Sequence, residues 1–201
     1  YAPDQAHLIT TTIEHHAILH PAEKLAHQGY AVTFVPVDQN GWVDPEEIQR
    51  AIRKETRLVS VMLVNNEVGT IQPVANIARL AHEAGILIHT DAVQGLGLPG
   101  TDIKNLGIDL LSLSAHKIYG PKGIGALIMR QGIEMEPLIY GGAQEHGVRP
   151  GTENVAGILR LGFFGDHHIR RIQQFHGDRF VPLLVPAEPA NDEGEGLHRK
   201  A

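Results

Sequence analysis

Short runs of β-branched and apolar residues alternate with helical patterns along the first two thirds of the chain, and this alternation leaves few folds open. Residues 7–11, 31–37, 58–64 and 86–90 predict strands. Between the first two, Ile18, Leu19, Ala22, Leu25 and Ala26 form one apolar stripe. That stripe predicts a helix over about 16–28, closed by Gly29 at its C-terminal cap. Asp44-Pro45-Glu46-Glu47 combines a cap, a proline in the first turn and a glutamate three after the cap. It predicts a helix to about Arg53, and Pro73 opens another that ends near Ala84-Gly85. The 58–64 run is apolar on both faces, as a central parallel strand requires. The expectation is an α/β fold with a mostly parallel sheet, flanking helices and right-handed crossovers.

A stretch near the middle of the chain interrupts this regularity. An apolar run over 109–114 delivers His116-Lys117 into the turn Ile118-Tyr119-Gly120-Pro121-Lys122-Gly123, and a second run follows over 124–129. A lysine at the mouth of a buried strand is costly unless something uses it. Buried lysine is also the side chain that becomes an amine nucleophile toward carbonyls. Taken alone, Lys-Ile-Tyr-Gly reads more readily as a surface turn with an exposed lysine.

Ligands of parallel α/β sheets bind beyond the carboxyl ends of the strands. Those ends are expected to carry His15, Asn66, Asp91, Gln94, Ser114, His116 and Lys117. Each has an ordinary structural use: Asp91 could cap a helix, Asn66 could hold a turn, and His15 could be a satisfied polar residue. Together they place two amides, an acid, two histidines, a hydroxyl and an amine on one edge.

Composition narrows the chemistry. The net charge of -6, without a long basic run, argues against nucleic acid or an anionic membrane as the main partner. Cysteine is absent, which removes disulfides, thiolate metal sites and a cysteine nucleophile from the given residues. The pairs His15-His16 and His167-His168 invite a metal reading, but adjacent helical residues point apart and no HExxH spacing occurs, so no metal is expected. No apolar stretch is long enough to span a bilayer and no signal peptide heads the chain, so a cytoplasmic location is expected.

The strand-end residues suit a planar phosphorylated aldehyde with a pyridine ring, pyridoxal 5'-phosphate. Lys117 can supply the amine and Asp91 the carboxylate that keeps the ring nitrogen protonated. His15 can stack on the ring, Asn66 and Gln94 can bond its phenolic oxygen, and Ser114 and His116 can reach the phosphate.

The residues Glu14-His15, Val64-Asn65-Asn66-Glu67-Val68-Gly69, His89-Thr90-Asp91-Ala92-Val93-Gln94, the 114–125 turn and Arg149-Pro150-Gly151-Thr152-Glu153-Asn154 resemble, in order, the large domain of the cysteine desulfurases. These are pyridoxal-phosphate enzymes of the NifS and IscS type, in the class V aminotransferase superfamily. The resemblance implies the large domain of the fold type I transferases, incomplete at both ends. It implies that Lys117, His15 and Asp91 act in catalysis, with Lys117 holding the cofactor covalently. Asn66 and Gln94 would touch the ring oxygen, Ser114 and His116 the phosphate, and Thr152 the phosphate of a neighbouring subunit in a homodimer. The implied reaction takes L-cysteine to L-alanine and leaves persulfide sulfur on an enzyme cysteine, for iron–sulfur cluster assembly or thiolation through a scaffold or sulfur-acceptor protein.

Three parts of the family pattern are not found: an N-terminal phosphate-binding loop, the sulfur-accepting cysteine, and a small C-terminal domain with an arginine for the substrate carboxylate. The expected division is an incomplete cofactor-binding large domain over 1–162 and a divergent, partly disordered tail over 163–201. Two alternatives stay open. One is another class V enzyme, such as a selenocysteine lyase or an aminotransferase, although the 149–154 segment argues against it. The other is a non-catalytic fragment or dimerisation module.

Overall fold

A computed structural model describes residues 1–96 and 106–169, with side chains of the last helix described as far as residue 162. The strands are β1 (His7–Thr11), β2 (Ala31–Val35), β3 (Thr56–Ser60), β4 (Leu87–Asp91), β5 (Leu110–Ser114) and β6 (Gly125–Met129). They form one sheet in the order β2-β1-β3-β4-β5-β6. The pairs β1–β2, β1–β3, β3–β4 and β4–β5 are parallel, and β5–β6 is antiparallel. The described helices are α1 (His16–His27), α2 (Pro45–Ala51), α3 (Val74–Glu83) and α4 (Val155–Ile169). The expected α/β fold with a mostly parallel sheet is therefore present. The antiparallel pair follows from connection length, since residues 115–124 are too few for the crossover of about a dozen residues that a parallel neighbour needs.

The start and stop signals act locally. The Asp44 side chain accepts a hydrogen bond from Glu46 N–H, and Pro45 occupies the first turn of α2. Glu47 does not complete the reciprocal box: it pairs with Arg50 one turn on, while α2 stops at Ala51. After α1, Gly29 adopts φ 93° and its N–H returns to Ala26 O, the left-handed stop that its position predicts. β2 ends at Val35, short of the expected 37. Residues 61–64 leave the formal strand but stay extended along β4, with Val61 N–H bonded to His89 O and Leu63 N–H to Asp91 O.

The core lies between the sheet and α2 and α3. Ile9, Val59, Ile88 and Leu111 come from adjacent strands and are fully or almost fully buried. They share one cluster with Ile48 of α2 and Val74, Ile77, Ala78 and Ala81 of α3. Burying a side chain of this size contributes about 1.5–3 kcal/mol. The backbone of residues 163–169 continues α4. The expected disordered tail falls from residue 170 onward outside the described residues, as do the side chains of His167 and His168.

Candidate active site

All the parallel strands point their carboxyl ends one way, so the residues that follow them gather along one edge. His15 follows β1 and caps α1: its Nδ1 accepts a hydrogen bond from Ala17 N–H at 3.2 Å. Asn66 sits in the turn after the β3 extension, and its side chain is exposed. Asp91 is the last residue of β4, and Gln94 lies half-buried in the following turn. Ser114 ends β5, and His116 and Lys117 occupy the single 3-10 turn that follows it. Hydrogen bonds from Leu63 N–H to Asp91 O at 2.8 Å and from Ala92 N–H to Ser112 O at 2.9 Å tie these exits together. Thr152 lies on the exposed loop that precedes α4.

Asp91 is the most constrained of the group. It is 7% exposed, and its Oδ1 accepts from Val93 N–H at 2.9 Å. Burial raises its pKa above the ordinary carboxylate range, against the Val93 hydrogen bond and the nearby His15, which both pull it down. A carboxylate in that state gains from a cationic N–H partner, which a protonated pyridine offers. The donor set therefore fits pyridoxal phosphate.

Below Asp91 on the same strand, His89 bridges two serines: Nδ1 lies 2.8 Å from Ser60 Oγ and Nε2 lies 2.9 Å from Ser112 Oγ. At the other end of the site, Ser114 Oγ and His116 Nδ1 lie 2.7 Å apart, so hydroxyl and imidazole already share one orientation. The turn that carries Lys117 closes through Tyr119 in the left-handed region, φ 64°, and through Gly120 N–H to Ala115 O at 2.8 Å. Lys117 itself is exposed. The reason is local: the 3-10 turn buries Ala115 and Ile118 and turns the two residues between them outward. The rings of His15 and His16 lie 6.1 Å apart and tilted, and His16 stacks instead on His20 at 4.8 Å.

Two buried polar residues beside the expected set did not stand out by type or spacing. Glu14 and Asn65, 4% and 7% exposed, immediately precede His15 and Asn66. The signal was their adjacency, a polar pair at each of two strand exits.

The model of the aminotransferase class-V family matches residues 2–168. The chain is 56% identical over 156 residues to a cysteine desulfurase IscS of Clostridium botulinum, covering 78% of this chain and 39% of that protein. It is 51% identical over 156 residues to a cysteine desulfurase IscS of Dictyoglomus turgidum, covering 78% and 40%. Among solved structures, it is similar to a NifS-like protein, with TM-score 0.80, 40% identity, and 86% and 48% of the two chains covered. It is also similar to SspA in complex with cysteine, with TM-score 0.79, 42% identity, and 82% and 48% covered. The chain thus spans about two fifths of the length of these curated relatives. With the family model spanning residues 2–168, from before the first strand into α4, the chain belongs to the aminotransferase class-V family.

Proposed function

We propose that residues 1–162 belong to the incomplete cofactor-binding large domain of a pyridoxal-phosphate-dependent cysteine desulfurase, with a divergent C-terminal tail over 163–201. The observation that carries the reading is the convergence of Asp91, His15 and the Ser114–Lys117 turn at one sheet edge, with Asp91 buried and in need of a cationic partner. The overall conversion is L-cysteine plus an acceptor thiol to L-alanine plus a persulfide. The acceptor thiol lies outside the given 201 residues, which hold no cysteine.

When bound, the cofactor supplies a protonated pyridine ring that withdraws electrons from the substrate α-carbon, and an aldehyde carbon for an amine. Asp91 would hold the proton at the ring nitrogen. Lys117 would hold the cofactor through its amine and move a proton at the substrate α-carbon. His15 would cover the ring face. Its Nδ1 is occupied by Ala17 N–H, so Nε2 carries the proton of the neutral ring and is the atom that can hand one on. Asn66 and Gln94 would orient the ring oxygen, and the Ser114–His116 pair would receive the phosphate.

Thr152 would serve the site of a partner copy. The exposed side chains of Leu138, Ile139 and Tyr140 support a homodimer, because apolar groups this open ask for a covering surface. A sulfur-acceptor or iron–sulfur scaffold protein completes the proposed partners. No described helix is long and apolar enough to cross a membrane, which is compatible with the proposed cytoplasmic location.

The test is a visible absorption titration of the purified chain with pyridoxal phosphate, followed by borohydride reduction and mass mapping. A saturable band trapped on Lys117 is expected. Labelling spread over surface lysines would reject the assignment.

A further inference from the structure

The exits of β1 and β3 are joined from both sides. Glu14 Oε1 accepts from Met62 N–H at 2.9 Å and from Thr11 Oγ–H at 2.6 Å. From the β3 side a side chain reaches the β1 exit: Asn65 Nδ2–H donates to Ile13 O at 2.9 Å. Asn65 Oδ1 also accepts from Glu67 N–H and Val68 N–H, both at 2.9 Å, and so shapes the turn around Asn66. Each exit thus sends one side chain to the other's backbone, Glu14 to Met62 and Asn65 to Ile13, and the next residues in the chain are His15 and Asn66.

We propose that Glu14 is a positioning residue of the site, which with Asn65 forms a two-way clasp that fixes His15 on one strand exit against Asn66 on the next. The inference rests on the cofactor reading above, because that reading gives His15 and Asn66 a common target. A purely space-filling role for Glu14 leaves its second oxygen unexplained: Oε2 is buried and has no hydrogen-bond partner. An ionised carboxylate there would expose a bare charge to the interior.

The electrostatics agree with a clasp that holds the neutral acid. Burial pushes the Glu14 carboxyl up to about 7, Thr11 and Met62 pull it down, and the Asp91 charge adds to the rise. Asp91 on β4 is the titratable group that faces it; Thr11 and Met62 offer neutral donors, and His15 follows it in the chain. As pH rises through about 7, Glu14 becomes a second buried negative charge near Asp91; its two donors bind the anion more tightly while burial and Asp91 work against it, so the surroundings of the clasp change.

The test is NMR on the full chain without added cofactor, following the Met62 backbone amide and the Asn66 side-chain amide between about pH 5 and 9. In the wild type both signals are expected to move with one midpoint near 7. Glu14→Gln keeps the shape and an acceptor but cannot ionise, so the step is lost. Glu14→Ala and Asn65→Ala displace the Asn66 signal at every pH; if neither folds, Glu14→Gln decides alone. A common pH profile in wild type and Glu14→Gln, or a Met62 step that leaves Asn66 still, would overturn the proposal. Cofactor uptake is measured separately by absorption. A chain that shows the step yet takes up no pyridoxal phosphate would support the clasp and reject the cofactor reading.

Discussion

The imidazole Nδ1 of His89 lies 2.8 Å from the hydroxyl oxygen of Ser60, one strand away inside the sheet. Ser112 meets Nε2 from the other side, so the ring is fully used while neutral. Burial pulls its pKa down to about 4 from 6.5. The unfolded chain takes up this proton near 6.5 and the folded chain only near 4, so the stability His89 contributes is present above 6.5 and is lost as pH falls toward 4. His7, also held low by burial, acts in the same direction. Glu14 acts oppositely. Its folded pKa of about 7 stands above 4.5, so its contribution is full below 4.5 and is lost as pH rises toward 7. Each term is on the order of 3 kcal/mol, and the two oppose each other between 4.5 and 6.5. Urea unfolding across pH should therefore give a flat region in the wild type. In Glu14→Gln the unfolding free energy should drop steadily as pH falls below 6.5. Parallel curves would mean that Glu14 does not hold a proton in the folded chain.

A second buried group holds the opposite end of β5. Asp109 Oδ2 accepts from Ile88 N–H at 2.9 Å and lies 3.0 Å from His82 Nε2. Arg130 Nε sits 2.8 Å from Oδ1, as an ion pair off the line of a formal hydrogen bond. The carboxyl is fully buried, whereas Arg130 is 55% exposed. Removing the acid orphans a buried N–H, and removing the arginine gives up a partly screened contact. Asp109→Ala should lower stability by about 2–3 kcal/mol and Arg130→Ala by under about 1 kcal/mol. Denaturant midpoints check both, and equal losses would contradict this account.

The fold was largely legible because each strand and helix carries its own local signals. Asp44, Gly29 and the stripe from Ile18 to Ala26 needed no partner elsewhere to be read. The strand-exit residues followed from the fold class, since a parallel sheet sends the ends of β1, β3, β4 and β5 to one edge. What stayed hidden depends on contacts distant in sequence. Glu14 finds Met62 far along the chain, and nothing in the local sequence around either residue announces the bond. The outward direction of Lys117 stayed one of two open readings, because the 3-10 turn that buries Ala115 and Ile118 decides it. The Glu47 signal misled because Arg50 offered a charge-assisted partner one turn away.

That 3-10 turn leaves no room at Gly120. A Cβ there would stand 2.8 Å from Ala115 Cβ and 2.9 Å from Ala115 O, both inflexible atoms. Gly120→Ala should cost about 1–3 kcal/mol and shift the turn that carries Lys117. Gly123 differs: its φ is 79°, but open space surrounds it, so Gly123→Ala meets only backbone strain of roughly 1–2 kcal/mol. The two variants separate in borohydride trapping. Gly120→Ala should lose label at Lys117 at protein concentrations where it remains folded, and Gly123→Ala should keep it. Undiminished trapping in Gly120→Ala would show that the turn adapts.

Asp91 and Lys117 are expected to fail differently. An amide at position 91 keeps the shape and can still accept from Val93 N–H, but it cannot balance a protonated ring nitrogen. Asp91→Asn should weaken pyridoxal-phosphate binding by about 1.5–3 kcal/mol, roughly a tenfold to hundredfold rise in Kd, while borohydride still fixes the cofactor to Lys117. Lys117→Ala should bind through the remaining contacts but yield no reduced adduct at the site. Equilibrium dialysis measures the first effect and mass mapping the second. Wild-type affinity in Asp91→Asn would remove Asp91 from the ring nitrogen. An adduct persisting in Lys117→Ala on a single other lysine would move the covalent role to that residue.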